Sequence, residues 1–472
     1  MDFPSQSEVY DLLILGSGAG SKLLAWTFAG KGQRVAVIER KYVGGSCPNI
    51  ACLPSKNVIH TAQVANYVRR SEQFGISIDK FRISMPAVRD RKRTMVEGLV
   101  DTHLALYRQS GAELIMASGR FVGPKILEAT LLDGKKRMLY GENVVIGTGT
   151  HAFIDERIPG LISAQPLTHV EALELDVLPE HLMILGAGYV GLEFAQAMRR
   201  FGSKVTVIDH NLRVIHHEDD DVTEALQSLL RDEGVDLVLN ANVQSVSGVS
   251  GKSVRVSMET DGSTMLLEGT HLLVAAGRIP NTKDIGLELA GVELRKSGYI
   301  KVNERLQTTA PGVWAVGEVA GSPHFTHISE DDFRVVRDNL LGGNRVTTGR
   351  QVPFCLFTDP EYARIGMTEK EAKSRGTGYR RFKIPMAAVL RARSLMETRG
   401  FLKCLVARDS DQILGFAAFG VGSGEIMGCV QIAMLARMPY LTLGEAVLAH
   451  PTIPEGFIAL FSAGASAEIA VG

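Results

Sequence analysis

Cysteine is scarce, neither sign of charge dominates, and no long apolar run interrupts the 472 residues. Each absence closes a class. Five cysteines scattered over a chain of this length cannot form the dense disulfide framework of a small secreted fold. A formal charge of −1 gives no general electrostatic case for nucleic acid or an anionic membrane, so neither partner is expected. No uninterrupted apolar stretch approaches the ~20 residues of a membrane-spanning helix. The start Met1-Asp2-Phe3-Pro4 is neither basic nor apolar enough for a signal peptide. Cytoplasm is the expected location, and in a reducing compartment a disulfide is catalytic or redox-sensing rather than structural.

What is present is apolar content, 45%, ample for several cores in a chain whose length suggests about three domains. Cys355, Cys404 and Cys429 lie far apart in apolar stretches and read as small buried hydrophobes. Cys47 and Cys52 are different. They sit in Gly44-Gly45-Ser46-Cys47-Pro48-Asn49-Ile50-Ala51-Cys52-Leu53-Pro54-Ser55-Lys56. Residues i and i+5 of a regular helix cannot be bridged by a disulfide, which tolerates Cα separations of only about 4.4–6.8 Å. The segment must bend if the two are to join. Two glycines and Pro48 supply a turn, and Pro54 to Lys56 reads as a helix opening, where a thiolate is favoured.

A repeat surrounds this pair. Leu13-Ile14-Leu15-Gly16-Ser17-Gly18 returns 170 residues later as Met183-Ile184-Leu185-Gly186-Ala187-Gly188. The match runs on through Gly32 and Gly202, then Arg34 to Ile38 and Lys204 to Ile208. In each copy an acid, Glu39 or Asp209, falls 23 residues after the first glycine. Strand, glycine turn, helix, strand and acid form a dinucleotide site: the glycines admit a pyrophosphate to a helix N-terminus and the acid binds a ribose diol. Gly186, Gly188 and Gly191 complete the second copy, whereas Ser21 stands in for the third glycine of the first.

A nicotinamide delivers hydride, a disulfide accepts two electrons, and a flavin can mediate. Because Cys47 and Cys52 follow the first copy, that site is expected to hold FAD and the second a nicotinamide nucleotide. Asp209 favours NAD over NADP, with Arg213 as the counter-argument. Residues 56–107 read as long helices, their run Arg89 to Arg93 a solvated face. Residues 114–132, with Gly119, alternate like strands, and a buried strand ends at Thr148 and Gly149. Val313 to Glu318 repeats that device, ending in glycine and acid beside a polar cofactor tail.

The expected fold is α/β, with two Rossmann-like dinucleotide-binding domains and an α+β C-terminal dimerisation domain. The boundaries drawn are 1–157 and 274–347 for the FAD-binding domain, 158–273 for the NAD(P)-binding domain, and 348–472 for the interface domain. In that last block His450-Pro451-Thr452-Ile453-Pro454-Glu455 places His450 in an extended turn and Glu455 at a helix start. A carboxylate on one ring nitrogen raises the basicity of the other, as thiol–disulfide exchange requires. His216 and His217, adjacent and expected to point apart in an acidic loop ending at Asp221, read as solvated surface; no metal site is expected.

These motifs resemble the pyridine nucleotide-disulfide oxidoreductases, the family of dihydrolipoamide dehydrogenase, glutathione reductase and mercuric reductase. The likeness spans nearly the whole chain and is most specific at the Cys47–Lys56 segment. The 450–455 box and Ala276-Gly277-Arg278-Ile279-Pro280-Asn281 agree with it. The resemblance implies that Cys52 faces the flavin and Cys47 the substrate. It pairs Lys56 with Glu193 near the flavin, puts Glu318 on the ribityl chain and Thr326 at the pyrimidine edge, and makes Tyr189 a gate to the nicotinamide pocket. Gly119, Thr148, Gly149, Gly277 and Arg278 join the cofactor contacts. His450 and Glu455 would serve the other subunit, giving a homodimer with composite sites.

Departures narrow the substrate. Trp26 replaces an arginine that grips glutathione, and the tail from Phe461 lacks the cysteine pair of mercuric reductases, which themselves lack the His450 base. A small thiol or disulfide, or a lipoyl group, is therefore expected, with dihydrolipoamide dehydrogenase nearest in type. The alternatives are a mercuric-type metal-ion reductase and a non-catalytic redox-sensing flavoprotein.

Overall fold

A computed structural model describes residues 7–465 and 467–469; the start read from Met1 to Pro4 lies outside them. The chain opens with β1 (Glu8–Leu15), α1 (Ala19–Ala29), β2 (Val35–Glu39), α2 (Ser46–Asn49) and α3 (Cys52–Arg69). There follow α4 (Met85–Ser110), β3 (Glu113–Gly123), β4 (Ile126–Leu131) and β5 (Lys136–Ile146). Strands β3, β2, β1 and β5 lie side by side in parallel, with Leu13 facing Ala36 on one flank and Val144 on the other. Leu12 to Leu15 are buried throughout, as parallel strands covered on both faces are, with Gly119 of β3 packed over Leu15. Strand β4 joins β3 to β5 as an antiparallel meander. Helix α4 starts on a Ser84 cap with proline in its first turn and ends on Gly111 at φ +78°.

Next come β6 (Thr150–Ala152), α5 (His169–Ala172), β7 (His181–Leu185), α6 (Tyr189–Phe201), β8 (Lys204–Ile208), α7 (Asp220–Asp232) and β9 (Val235–Val238). An antiparallel trio, β10 (Ala241–Val249), β11 (Ser253–Thr260) and β12 (Ser263–Gly269), precedes β13 (His271–Val274), β14 (Arg278–Pro280), β15 (Val313–Ala315) and α8 (Thr326–Leu340). The second parallel sheet has the order β13, β7, β8, β9. Strand β14 then pairs back to β6, and β15 returns to the first sheet beside β5, with Trp314 opposite Val145. The second nucleotide unit is thus inserted into the first.

The last block holds β16 (Phe354–Leu356), β17 (Glu361–Gly366), β18 (Tyr379–Pro385), β19 (Phe401–Ala407), β20 (Ile413–Gly420) and β21 (Ala467–Ile469). It forms one antiparallel sheet in the order β16, β17, β20, β19, β18, β21. Lys403 of β19, 2% exposed, is ion-paired with Asp219, Asp221 and Glu369 at 2.9, 2.8 and 3.0 Å, tying this sheet to α7. Its ammonium fills the space between three carboxylates that would otherwise suit a cation. Among the described residues no helix is long and apolar enough to cross a membrane.

Two expectations about exposure are corrected here. Lys92, in the middle of the supposedly solvated run, is buried and paired with Glu174, because α4 lays that face against the segment leading to β7. Cys429 is exposed rather than buried. It sits on the helix Ser423–Leu435, which buries Ile426 and Val430 but leaves Ile432 and Leu435 more than half exposed. The apolar run there serves two faces, only one of which meets this chain's own core.

Candidate active site

The bend required by the two cysteines is present. Helix α2 carries Cys47, the chain breaks over Ile50 and Ala51, and α3 begins at Cys52. Gly44 and Gly45 have φ of +89° and +84°, a region costly for other residues. A Cβ on Gly45 would come 2.6 Å from the Cα of Gly18, so this glycine lets the cysteine turn press onto the first dinucleotide turn. Asn49 Nδ2 closes the turn by donating to the carbonyls of Val43 at 2.9 Å and Gly45 at 2.8 Å.

Both cysteines are half-buried thiols. Cys52 is the more acidic: a hydrogen bond from Cys47 outweighs burial and, with the Thr326 hydroxyl and the charge of Lys56, brings its pKa down to about 6. Cys47 moves the opposite way, held protonated by that hydrogen bond and by burial. In the dithiol form the negative charge therefore favours Cys52 and the proton Cys47. Thr326, the first residue of α8, lies with Oγ1 3.4 Å from Cys52 Sγ. Lys56, one turn along α3 from Cys52, donates to Glu193 on α6 at 2.7 Å. The other oxygen of Glu193 accepts from the backbone of Phe357 at 2.9 Å. This pair joins the cysteine helix to the second nucleotide unit. Tyr189, at the start of α6 and 40% exposed, rests against Phe325 and Phe354.

Each glycine turn makes a close approach that forbids a side chain. A Cβ on Gly16 would lie 2.5 Å from the Gly147 carbonyl, and one on Gly186 2.4 Å from that of Ala275. Gly191 passes so close to the Gly186 carbonyl that a Cβ would sit 2.0 Å away, as expected for helix–strand packing. Glu39 accepts from Ser17 N, Ser17 Oγ, Lys41 N and Tyr42 N. Asp209 accepts from Ala187 N and from both nitrogens of Asn211. Arg213, on the same cavity wall as Asp209, pairs with Glu224 at 3.1 Å and Asp220 at 3.5 Å.

One cavity of about 1980 Å³ connects these parts, lined among others by Gly18, Cys47, Cys52, Lys56, Tyr189 and Asp209. It also takes in Gly149, Gly186, Gly188, Glu193, Gly277, Arg278, Glu318 and Thr326. The groups on its wall fit dinucleotide cofactors. Ser21 Oγ beside the first turn and His169 Nε2 on α5 are buried without a hydrogen-bond partner, although both residues line the cavity. Gly149, Gly188 and Gly277 have open space where a Cβ would stand.

Several expected residues stand apart from this cavity or are engaged within the protein at its wall. Gly119 lies on β3 with its Cα packed on Leu15 and Ile38. Thr148 is locked to Asn281 through Oγ1 and its carbonyl. Glu318 lines the cavity but is hydrogen-bonded to Thr150 and 3.4 Å from Arg278. His450 meets Glu455 at 2.9 Å through Nδ1, and its side chain is 62% exposed, away from the residues that line this chain's cavity.

His216 and His217 do not point apart: their rings lie 3.7 Å centre to centre, both on the cavity wall near Asp209. The solvated reading holds for His216, His217 and Asp220, which are exposed, but not for Glu218 and Asp219, which are buried under β17 and β19 contacts from Arg364 and Lys403. Two residues near Cys47 carried no sequence signal: Lys22 on α1 and His103 on α4, which meet at 2.8 Å.

A family model described as pyridine nucleotide-disulphide oxidoreductase matches residues 10–332, and its dimerisation-domain counterpart matches 352–460. The chain is 35% identical over 459 residues to the probable pyridine nucleotide-disulfide oxidoreductase RclA of Escherichia coli (strain K12), covering 96% of this chain and 99% of that one. It is 30% identical to dihydrolipoyl dehydrogenase of Bacillus subtilis (strain 168), covering 94% and 96%. Mercuric reductase of Streptomyces lividans is 31% identical, with 93% and 94% covered. The solved Cu(II) complex of HOCl-induced flavoprotein disulfide reductase RclA from E. coli superposes with a TM-score of 0.88 at 34% identity, covering 97% and 99%. Against the expectation of dihydrolipoamide dehydrogenase as nearest in type, the RclA relative is more alike than the dihydrolipoyl dehydrogenase.

Proposed function

The chain belongs to the pyridine nucleotide-disulphide oxidoreductases, and from that premise we propose that it is an NADH-preferring flavoprotein of the cytoplasm that reduces a small disulfide through Cys47 and Cys52. The observation that carries this reading is the single cavity in which the cysteine pair, the Lys56–Glu193 bridge and both glycine turns meet. Gly16, Gly18 and Glu39 would hold FAD, and Gly186, Gly188, Gly191 and Asp209 the nicotinamide nucleotide. When bound, these two groups supply hydride and a two-electron relay to the Cys47–Cys52 disulfide. Asp209, free of Arg213, favours an unphosphorylated ribose.

The rest is chemistry of the side chains. Cys47, as thiolate, attacks one sulfur of the substrate disulfide, forming a mixed disulfide and releasing one thiolate. That leaving group takes a proton from the partner subunit's His450, oriented by its glutamate, in a homodimer with composite sites. The Cys52 thiolate then attacks Cys47 Sγ, expelling the second substrate thiolate and closing the Cys47–Cys52 bond. The dithiol gives up two electrons and the Cys47 proton, which His450 of the partner subunit relays to the first leaving thiolate; the second substrate thiolate takes its proton from solvent.

A panel of lipoyl and small-molecule disulfides with NADH tests this. Cys47→Ser is expected to lose at least a thousandfold in disulfide reduction while keeping FAD. In the reduced wild type, the long-wavelength thiolate–flavin absorbance is expected to fade as pH falls through about 6, the value for Cys52. Full activity of Cys47→Ser on every acceptor would sink the mechanism. Hg(II) and Cu(II) belong in the same panel, because thiolates are soft ligands and one solved relative is a Cu(II) complex. NADH oxidation driven by either ion and by no disulfide would move the assignment to a metal-ion reductase.

A further inference from the structure

A set of groups that the exchange mechanism does not use packs around the turn carrying Cys47. Lys22 is half-buried in the first turns of α1. Its ammonium donates to His103 Nε2 at 2.8 Å and reaches the Gly44 carbonyl at 3.5 Å. Trp26, one turn along α1, stacks on the His103 ring at 5.8 Å and 22°, and Tyr107 closes against Trp26 edge-on at 5.6 Å. Gly44 has no Cβ because one would come 2.6 Å from His103 Nδ1, so the imidazole is wedged against the cysteine turn itself. Burial, and then the charge on Lys22, push His103 down to about 4. It is a neutral acceptor at working pH, which fixes the lysine without neutralising it.

A half-buried ammonium without a carboxylate partner is costly. Among the described residues Lys22 has none at ion-pair distance, and the groups whose negative charge would reach it are first Cys47, when ionised, and then Glu330. The charge that would compensate it is the one that forms on Cys47 when the disulfide is opened. We propose that Lys22, positioned by His103, is the resident cation that stabilises the Cys47 thiolate for exchange, a role that rests on Cys47 being the exchange thiol.

The surroundings give the sign. Helix α3 presents Cys52, whose negative charge holds the proton on Cys47, together with Lys56, which favours the Cys52 thiolate. Helix α8 presents Thr326 and Glu330, and α4 presents neutral His103 and Tyr107. Lys22 on α1 opposes the effect of Cys52 on Cys47. Removing Lys22 therefore raises the pH at which Cys47 ionises. His450 supplies the proton economy from the other subunit, whereas Lys22 supplies charge from the same chain.

The test is iodoacetamide labelling of Cys47 in reduced, FAD-loaded enzyme, read peptide by peptide by mass spectrometry from pH 5 to 10. Lys22→Met is expected to shift the labelling midpoint up by about one unit, slowing labelling roughly tenfold near neutral pH, with recovery at alkaline pH. Lys22→Arg is expected to keep the wild-type profile. Should Lys22→Met fail to hold FAD, Lys22→Gln is read the same way, with a rise of the same sign. Profiles of the neutral variants that superpose on wild type, with flavin retained, overturn the proposal. No disulfide substrate enters this experiment, so a failure to find one that is turned over leaves its outcome readable.

Discussion

The turn at Gly16 and the turn at Gly186 share strand, glycines, helix and acid, but the chain around them differs. At the first, Glu39 is only 8% exposed and four donors converge on its two oxygens. The cysteine turn presses on Gly18, and α8 approaches α1 so closely that a Cβ on Gly20 would sit 2.5 Å from the Ser329 carbonyl. At the second, Gly188 and Gly277 look into open space, and Tyr189 stands 40% exposed at the entrance. One motif thus gives a walled site, suited to a group that stays, and an open one, suited to a group that comes and goes. The motif supplies phosphate and ribose contacts; what packs outside it governs residence.

The sharpest way to break this contrast is to remove each acid. Glu39→Ala leaves Ser17, Lys41 and Tyr42 donors without their acceptor in a buried site, so the protein is expected to purify without FAD and with lower thermal stability. Stoichiometric flavin in that variant would show that the wall, not the acid, retains the cofactor. Asp209→Ala is expected to keep FAD. Loss of a charged hydrogen bond worth about 1.5–3 kcal/mol predicts a KM for NADH raised roughly 10–100-fold with little change in kcat. NADPH is expected to serve the wild type at least tenfold less well than NADH, because Arg213 is engaged by Glu224, and the gap should narrow in Asp209→Ala. Flavin loss from Asp209→Ala, or equal use of both nucleotides by the wild type, would erase the distinction.

Features of short range were legible in the sequence. The repeat, its acids and the bend between Cys47 and Cys52 are written in glycine, proline and strand spacing within a few dozen residues. What was illegible depends on partners far away in the chain. Lys92 reads as a surface charge until Glu174, 82 residues on, is seen against it. Lys22 and His103 lie 81 residues apart on different helices, and neither belongs to a pattern. Cys429 is illegible for another reason: an apolar run reports that burial is favoured, not which side of a helix finds a core. His216 and His217 are neighbours in a turn rather than a strand, so alternation does not separate their rings.

Ser21 is the finest difference between the two copies. At the matching place Gly191 packs against the Gly186 carbonyl, where a Cβ would be only 2.0 Å away. Ser21 reaches toward Gly147 instead, and its hydroxyl is buried on the cavity wall without a partner. An unsatisfied buried hydroxyl costs about 1–3 kcal/mol, and that cost is relieved if the cofactor accepts a hydrogen bond from it. Ser21→Ala keeps the volume at Cβ and removes only the hydroxyl. It is expected to speed FAD dissociation several-fold while making the cofactor-free protein more stable to heat. If dissociation is unchanged and only the cofactor-free form gains stability, the serine merely fills the place of the third glycine, and the walled site owes nothing to it.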